Sequence, residues 1–169
     1  MVATSFKIAV LCHLFYPDGQ DKLFGKLSLL KALDTKFYFN IVDVGTDRGP
    51  LIQRIRASFP GSVLIQTPHK GRDIGGKLSL LNVYFNTGDR RELLLFIHDK
   101  QSPHISNASF WVDELLRIVD KSQLNKVMGL FAADEQCGIV CAQKFIQNEY
   151  DPRSKSFNCT SSEILKDMI

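Results

Sequence analysis

The chain has no block of Lys and Arg long enough to track a phosphate backbone. Its 21 basic residues stand against 18 acidic ones, a formal charge of +3. That balance argues against nucleic acid as a partner and is compatible with a local anion site. No cysteines have metal-binding spacing: Cys137 and Cys141 are four apart, and Cys12 and Cys159 stand alone. Cys12, Cys137 and Cys141 lie in apolar segments, so buried free thiols and a reducing compartment are expected. The apolar run in "MVATSFKIAVLCHLFYPDG" is too short for a signal segment or a membrane span. The expectation is a soluble cytoplasmic protein, with any attachment to the inner membrane face made through regions outside this stretch. Internal repeats and low-complexity segments are absent. So are G-x-G-x-x-G and G-x-x-x-x-G-K-[ST], which removes both common nucleotide fingerprints.

What the chain does have is apolar runs alternating with amphipathic ones. Its 169 residues, 44% apolar, suffice for one domain with a proper core. "FKIAVLCHLF", "KFYFNIVDVG", "GSVLIQT" and "ELLLFIH" read as strands, and "CGIVCA" as a short fifth. Between them, "PDGQDKLFGKLSLLKAL", "TDRGPLIQRIRASF" and "GRDIGGKLSLLNVYF" have helical spacing. "ASFWVDELLRIVD" and "SQLNKVMGLFAAD" follow the fourth strand as helices. Asp18, Thr46 or Asp47, and Ser106 or Asn107 are candidate caps. A short terminal helix capped by Ser161 or Ser162 is also expected. The order βαβαβαβααβ predicts a three-layer, doubly wound α/β fold with a mostly parallel sheet. Residues 1–145 would form the ligand-binding α/β domain. Residues 146–169 would be an extension, or the start of a further subdomain.

In such a sheet the strand C-termini share one edge, and ligands bind there. Strand one delivers His13, Phe15, Tyr16 and Asp18; strand two delivers Asp43 and then "GTD". Strand three delivers "PHKGRDIGGK", and strand four delivers His98, Asp99 and Lys100. Topology alone therefore gathers His13, Asp43, Arg72, Asp73, His98, Asp99 and Lys100 at one rim. Gly71, Gly75 and Gly76 permit positive φ or close approach to the backbone. A helix opening near Arg72, flanked by Lys70 and Lys77, suits a phosphate. The plainer reading is an ordinary helix start with Asp73 as dipole partner. Asp43 interrupts an apolar strand, so it either faces a ligand or bonds to the next loop. His13 is either a satisfied core histidine or a site residue. Trp111 either packs in the core or stacks on a sugar or base.

Two resemblances follow from these residues. "IVDVGTDRGPLIQRI" is similar to the second-strand segment of family 2 glycosyltransferases: Asp43, Gly45, Thr46 and Asp47 match, and Val44 replaces one acid of the usual pair. "HLFYPD", "KGRDIGGKL", "FIHDKQSPH" and Trp111 more closely resemble the rhamnan synthesis F family, over about residues 6–145. His69 departs from that family, which more often has Asn there. The resemblance implies a GT-A type fold and a nucleotide-diphospho-sugar donor. It further implies a glycan or lipid-linked glycan acceptor and transfer in surface polysaccharide synthesis, with a deoxyhexose such as rhamnose as the default sugar. The alternative is a sugar-nucleotide-binding or interaction module without catalysis.

By the same resemblance, Asp43 would face the base, Arg72 and Asp73 the nucleotide, and the end of the fourth strand the diphosphate; Gly71 is a further expected substrate-binding residue. His13, Tyr16, His98 and Trp111 complete the expected substrate-binding set. Most GT-A enzymes end the fourth strand in Asp-x-Asp and hold Mg²⁺ or Mn²⁺ there. Here His98 and Lys100 take the two Asp positions, with Asp99 between them. The expectation is a metal-independent site with Lys100 and Asp99 as catalytic residues, Lys100 stabilising the leaving diphosphate with Arg72. The competing expectation places Mg²⁺ or Mn²⁺ on His98 and Asp99; the third is a solvated strand end. Glu149, Asp151 and Glu163 are the late carboxylates, and none is singled out as the base.

Overall fold

The computed structural model describes residues 6–99, 113–141, 150–151 and 156–157. The chain divides into two compact units, Met1–Gly138 and Ile139–Ile169. In the first unit β1 (Ile8–Leu14) leads into α1 (Asp21–Ser28), which tightens into a 3-10 turn at Leu29–Ala32. β2 (Thr35–Asp43), α2 (Gly49–Ser58), β3 (Val63–Pro68), α3 (Arg72–Asn86) and β4 (Leu93–His98) follow. Residues 113–116 are helical and pass into a 3-10 turn, Arg117–Val119, before α4 (Lys121–Ala133). In the second unit β5 (Tyr150–Asp151) pairs antiparallel with β6 (Ser156–Phe157).

The first four strands form one sheet in the order β3-β2-β1-β4, and every pairing is parallel. The expected doubly wound α/β fold is therefore present. β1 is central and buried along its whole length, which explains its unbroken apolar run. Its residues sort by parity. Ile8, Val10, Cys12 and Leu14 join Leu23, Phe24 and Leu27 of α1 and Leu51 and Ile55 of α2 in the larger core. Ala9 and Leu11 face Leu80 and Tyr84 of α3 on the other side. Phe24, Phe37, Phe39 and Phe59 interlock in the larger core with centroids 4.8–6.3 Å apart. Leu116 and Val119 belong to the same core, and Lys22–Asp113 and Lys26–Asp120 ion pairs flank them. The apolar burial carries that docking, because part-exposed ion pairs contribute little.

Several expectations are corrected. Residues 137–141 are not a strand, and Ile139 is 86% exposed. A short apolar run holding Gly138 has little to hold it extended without a ladder partner. Its thiols follow suit: Cys12 is buried as expected, but Cys137 is half-buried and Cys141 exposed. The first helix opens at Asp21 behind Gln20 rather than at an Asp18 cap, because Gly19 adopts φ 81° and breaks the turn. The second opens at Gly49 behind Arg48. There Asp47 accepts the Gly49 N–H at 2.8 Å, from one position before the cap. The expected caps at Ser106, Asn107, Ser161 and Ser162 lie outside the described residues.

Candidate functional site

β1 to β3 build to one side through α1 and α2 on one face, and α3 then crosses the other face to place β4 beyond β1. The winding reverses between β1 and β4. Doubly wound sheets open their ligand crevice at that point, past the strand C-termini. His13 and His98 are register partners across this gap. Asp99 follows directly, its N–H donating to the His13 carbonyl at 3.1 Å.

Asp99 holds the loop that leaves β1. One carboxylate oxygen accepts the Phe15 N–H at 2.7 Å. The other accepts the Tyr16 N–H at 2.9 Å and the Gln20 side-chain amide at 3.1 Å. Gln20 also donates to the Tyr16 carbonyl at 2.8 Å, tying the loop's end to its beginning. Burial pushes the Asp99 carboxyl up to about 6, against the opposing pull of those donors and of Arg48. The Cys12 thiol is likewise raised, first by burial and then by the charge of Asp99.

Arg48 reaches the same loop from the β2–α2 connection. It is 4% exposed. Its Nε donates to the Val42 carbonyl at 3.0 Å, and Nη2 donates to the Phe15 carbonyl. The buried Arg48 Nη1 and Gln20 Oε1 have no hydrogen-bond partner among the described residues. The Phe15 ring packs on Tyr16 at 5.1 Å and on His69, just past β3, at 4.8 Å.

His13 is buried on the α3 side. Its Nδ1 lies 3.0 Å from the Asn40 amide nitrogen, and Thr67 donates to the Asn40 carbonyl oxygen at 3.0 Å. With Asn40 donating, His13 accepts at Nδ1 and carries its proton on Nε2. This polar line crosses β1, β2 and β3 directly beneath Gly76, where a Cβ would lie 1.9 Å from His13 Nδ1. Gly71 precedes α3 at φ 73°, and a Cβ on Gly75 would lie 2.7 Å from the Lys70 carbonyl oxygen. Two of these glycines thus serve close packing, and the third the left-handed turn. Since Gly76 sits on His13, the α3 N-terminus at Arg72 stands about 6 Å further along the helix, toward the strand ends.

The structure brings His13, Tyr16, His98 and Asp99 together at the switch point, with Gly71 at the adjoining helix start. Arg72 and Asp73 open α3. Asp43 lies apart. It shares the parity of Phe37, Phe39 and Ile41, on the α1–α2 side, whereas His13 belongs to the α3 side. Asp43 is exposed and accepts the Gly45 N–H at 2.9 Å. Lys100 and Trp111 lie outside the described residues. Arg48, Gln20 and Asn40 were missed. Asn40 did carry a signal, as a polar residue inside the "FYFNIV" run.

Among the described residues, no helix is long and apolar enough to cross a membrane. Comparison with curated proteins and with solved structures returned no match. A profile of rhamnan synthesis protein F matches residues 1–169. The match spans the whole chain, wider than the stretch carrying the motifs, and points to a role in rhamnan synthesis: the chain belongs to the rhamnan synthesis protein F family.

Proposed function

We propose that this domain is a glycosyltransferase that binds a nucleotide-diphospho-sugar at the carboxyl edge of its sheet and transfers the sugar during surface polysaccharide synthesis. The observation that carries the reading is the switch point between β1 and β4, flanked by the α3 N-terminus, in a chain of the rhamnan synthesis protein F family. The first N–H groups of α3, opened by the left-handed Gly71, suit the diphosphate, with Arg72 and Asp73 at the nucleotide. Tyr16 and His98 line the crevice and His13, buried against Asn40, supports it from within; Trp111 stacks on the sugar or base, and Asp43 takes the base from the far side of β2.

In the reaction, an acceptor hydroxyl oxygen bonds to the anomeric carbon as the bond from that carbon to the diphosphate oxygen breaks. The electron pair leaves on the nucleoside diphosphate, and the acceptor proton passes to a base. Lys100 with Arg72 stabilises the charge growing on the leaving group. A divalent cation is the alternative source of that charge, held by His98 and Asp99. What speaks against the cation is that both Asp99 oxygens already accept bonds from Phe15, Tyr16 and Gln20.

The test is thermal-shift screening against UDP-, GDP- and dTDP-sugars, followed by assay of nucleotide release with and without EDTA. Stabilisation by one donor with EDTA-insensitive release is expected. Stabilisation without release would make the domain a binding module, and no shift with any donor would overturn the reading. A strict Mn²⁺ or Mg²⁺ requirement would reassign the charge role from Lys100.

A further inference from the structure

Four strand ends converge on one residue, Phe15. The Phe15 N–H is held by Asp99, which follows β4, and its carbonyl by Arg48, which follows β2. Its ring rests on His69, which follows β3, and its own backbone leaves β1. The loop that Phe15 begins runs past the switch point and ends at Gln20, whose amide bonds back to Tyr16 and Asp99. A six-residue loop containing Pro17 and Gly19 has, among the described bonds, one helix bond at its very end, where the Gln20 carbonyl accepts the Phe24 N–H at 2.8 Å. The rest of its order must come from side chains reaching in from other elements.

We infer that Asp99 and Arg48 are positioning residues that clamp the Phe15–Tyr16 peptide from its two sides and so set the β1–α1 loop against the ligand crevice. The two side chains act as a unit. One Asp99 oxygen holds the Tyr16 N–H and Arg48 holds the Phe15 carbonyl, the two ends of the single Phe15–Tyr16 peptide dipole, while the other Asp99 oxygen holds the preceding peptide at the Phe15 N–H. Releasing either end lets the peptide rotate and weakens the other bond. The effect on the ligand rests on the proposed function; the clamp itself does not. Arg48 acts at a distance from the reacting atoms, and Asp99 acts through Phe15 and Tyr16 rather than on substrate.

The experiment is residue-resolved amide hydrogen exchange on the whole chain, with Asp99→Asn, Arg48→Lys and the double variant. Both substitutions keep size and polarity. The asparagine retains one acceptor but turns an N–H₂ group toward a backbone donor. In each single variant, protection at Phe15 and Tyr16 should fall at least about tenfold, while Val10, Leu11 and Cys12 in β1 keep theirs. The double variant should lose no more than the worse single one, because the clamp is one unit. Where the parent binds one of the UDP-, GDP- or dTDP-sugars, its Kd should rise about tenfold in each variant.

Unchanged protection at Phe15 and Tyr16 would overturn the inference. Loss spread evenly through β1 would do the same, since that is a general loss of fold. If Asp99→Asn fails to fold, the Arg48→Lys pattern decides. Local loss of protection with an unchanged donor Kd would overturn the positioning role. A parent chain that binds none of the donors refutes the proposed function and leaves the clamp to be judged on exchange alone.

Discussion

Replacing Gly76 with alanine should destabilise the domain although alanine is the better helix former. Gly76 lies within α3, where Gly→Ala ordinarily gains about 1 kcal/mol. Here the new Cβ would fall 1.9 Å from His13 Nδ1, 2.3 Å from its Cε1 and 2.6 Å from the Asn40 amide nitrogen. Two responses are open to the fold. The His13 ring can turn away, breaking the bond to Asn40 and leaving buried polar groups unpaired, at about 1–3 kcal/mol. Alternatively α3 can lift, loosening Leu80 and Tyr84 from Ala9, Leu11 and Tyr38, for a similar overpacking cost of about 1–3 kcal/mol. Both strands beneath are central and bonded on either side, so the floor does not yield. With both responses partly engaged, the net loss is about 2–3 kcal/mol, a fall in Tm of roughly 5–10 °C for a domain of this size.

Gly25 is the control. It also lies in a helix, α1, but a Cβ there meets nothing within 4 Å. Gly25→Ala should raise Tm by about 2–4 °C through propensity alone. Thermal unfolding of the two variants beside the parent checks the argument. Equal behaviour at the two glycines would refute it, because the reasoning depends on what lies beneath Gly76. A His13→Ala background should also shrink the cost of Gly76→Ala, since the nearest colliding atoms are then gone.

Three further outcomes follow from the same geometry. Asp99 has its carboxyl raised to about 6 in the folded state against 3.8 ordinarily, so the native state binds the extra proton. This group's contribution to stability should be full below about pH 4 and lost as pH rises through about 6, by roughly 3 kcal/mol at most. Urea titrations of the parent minus Asp99→Asn between pH 4 and 8 would read that slope, and a flat difference contradicts it. Cys141 should react with a thiol reagent in the native protein while Cys12, buried and with its thiol raised, stays unlabelled until unfolding; peptide mass mapping separates the two. Tyr38→Phe removes long bonds of 3.3 Å to Thr87 and Asp89 and should cost about 1 kcal/mol or less, measured by urea unfolding.

Much of this fold is legible from hydrophobic pattern. β1 is apolar at both parities because it is buried on both faces, and a continuous run of that kind declares a central parallel strand. α1 and α2 show their inner faces through Leu23, Leu27, Leu51 and Ile55. The fifth strand was misread for the same reason that the others were read correctly. "CGIVCA" has a strand's composition, but strand formation needs a neighbour to pair with, and composition does not report pairing. The helix starts shifted because Gly19 and the Asp47 turn act through backbone geometry, which side-chain periodicity does not reveal.

The site is legible in membership and illegible in division of labour. Counting strand ends placed His13, His98 and Asp99 at one rim. Parity then separates Asp43 from His13, and parity depends on registers that no single strand contains. Arg48 has no signature in the sequence: nothing in a lone arginine before a Gly-Pro helix start marks it as buried, and only its contacts with Val42 and Phe15 reveal its part. Asp99 was identified by its place and assigned a catalytic part by resemblance, yet its described partners include two backbone N–H groups, which have no sequence signature.

The costs gathered around that loop argue for its importance independently of any resemblance. A carboxyl raised by burial, an arginine buried with one nitrogen unpartnered among the described residues, and a glutamine with its oxygen in the same condition all meet at Phe15–Gln20. Uncharged side-chain donors and acceptors would hold the same turn at lower cost, since buried charged groups are weak contributors to stability alone. Local violations of this kind are expected where structure serves function. They sit at the crevice that topology selects, and not in the phenylalanine-rich core, where packing alone would suffice. The loop after β1 is therefore the part of this domain in which substitutions should separate stability from ligand affinity most cleanly.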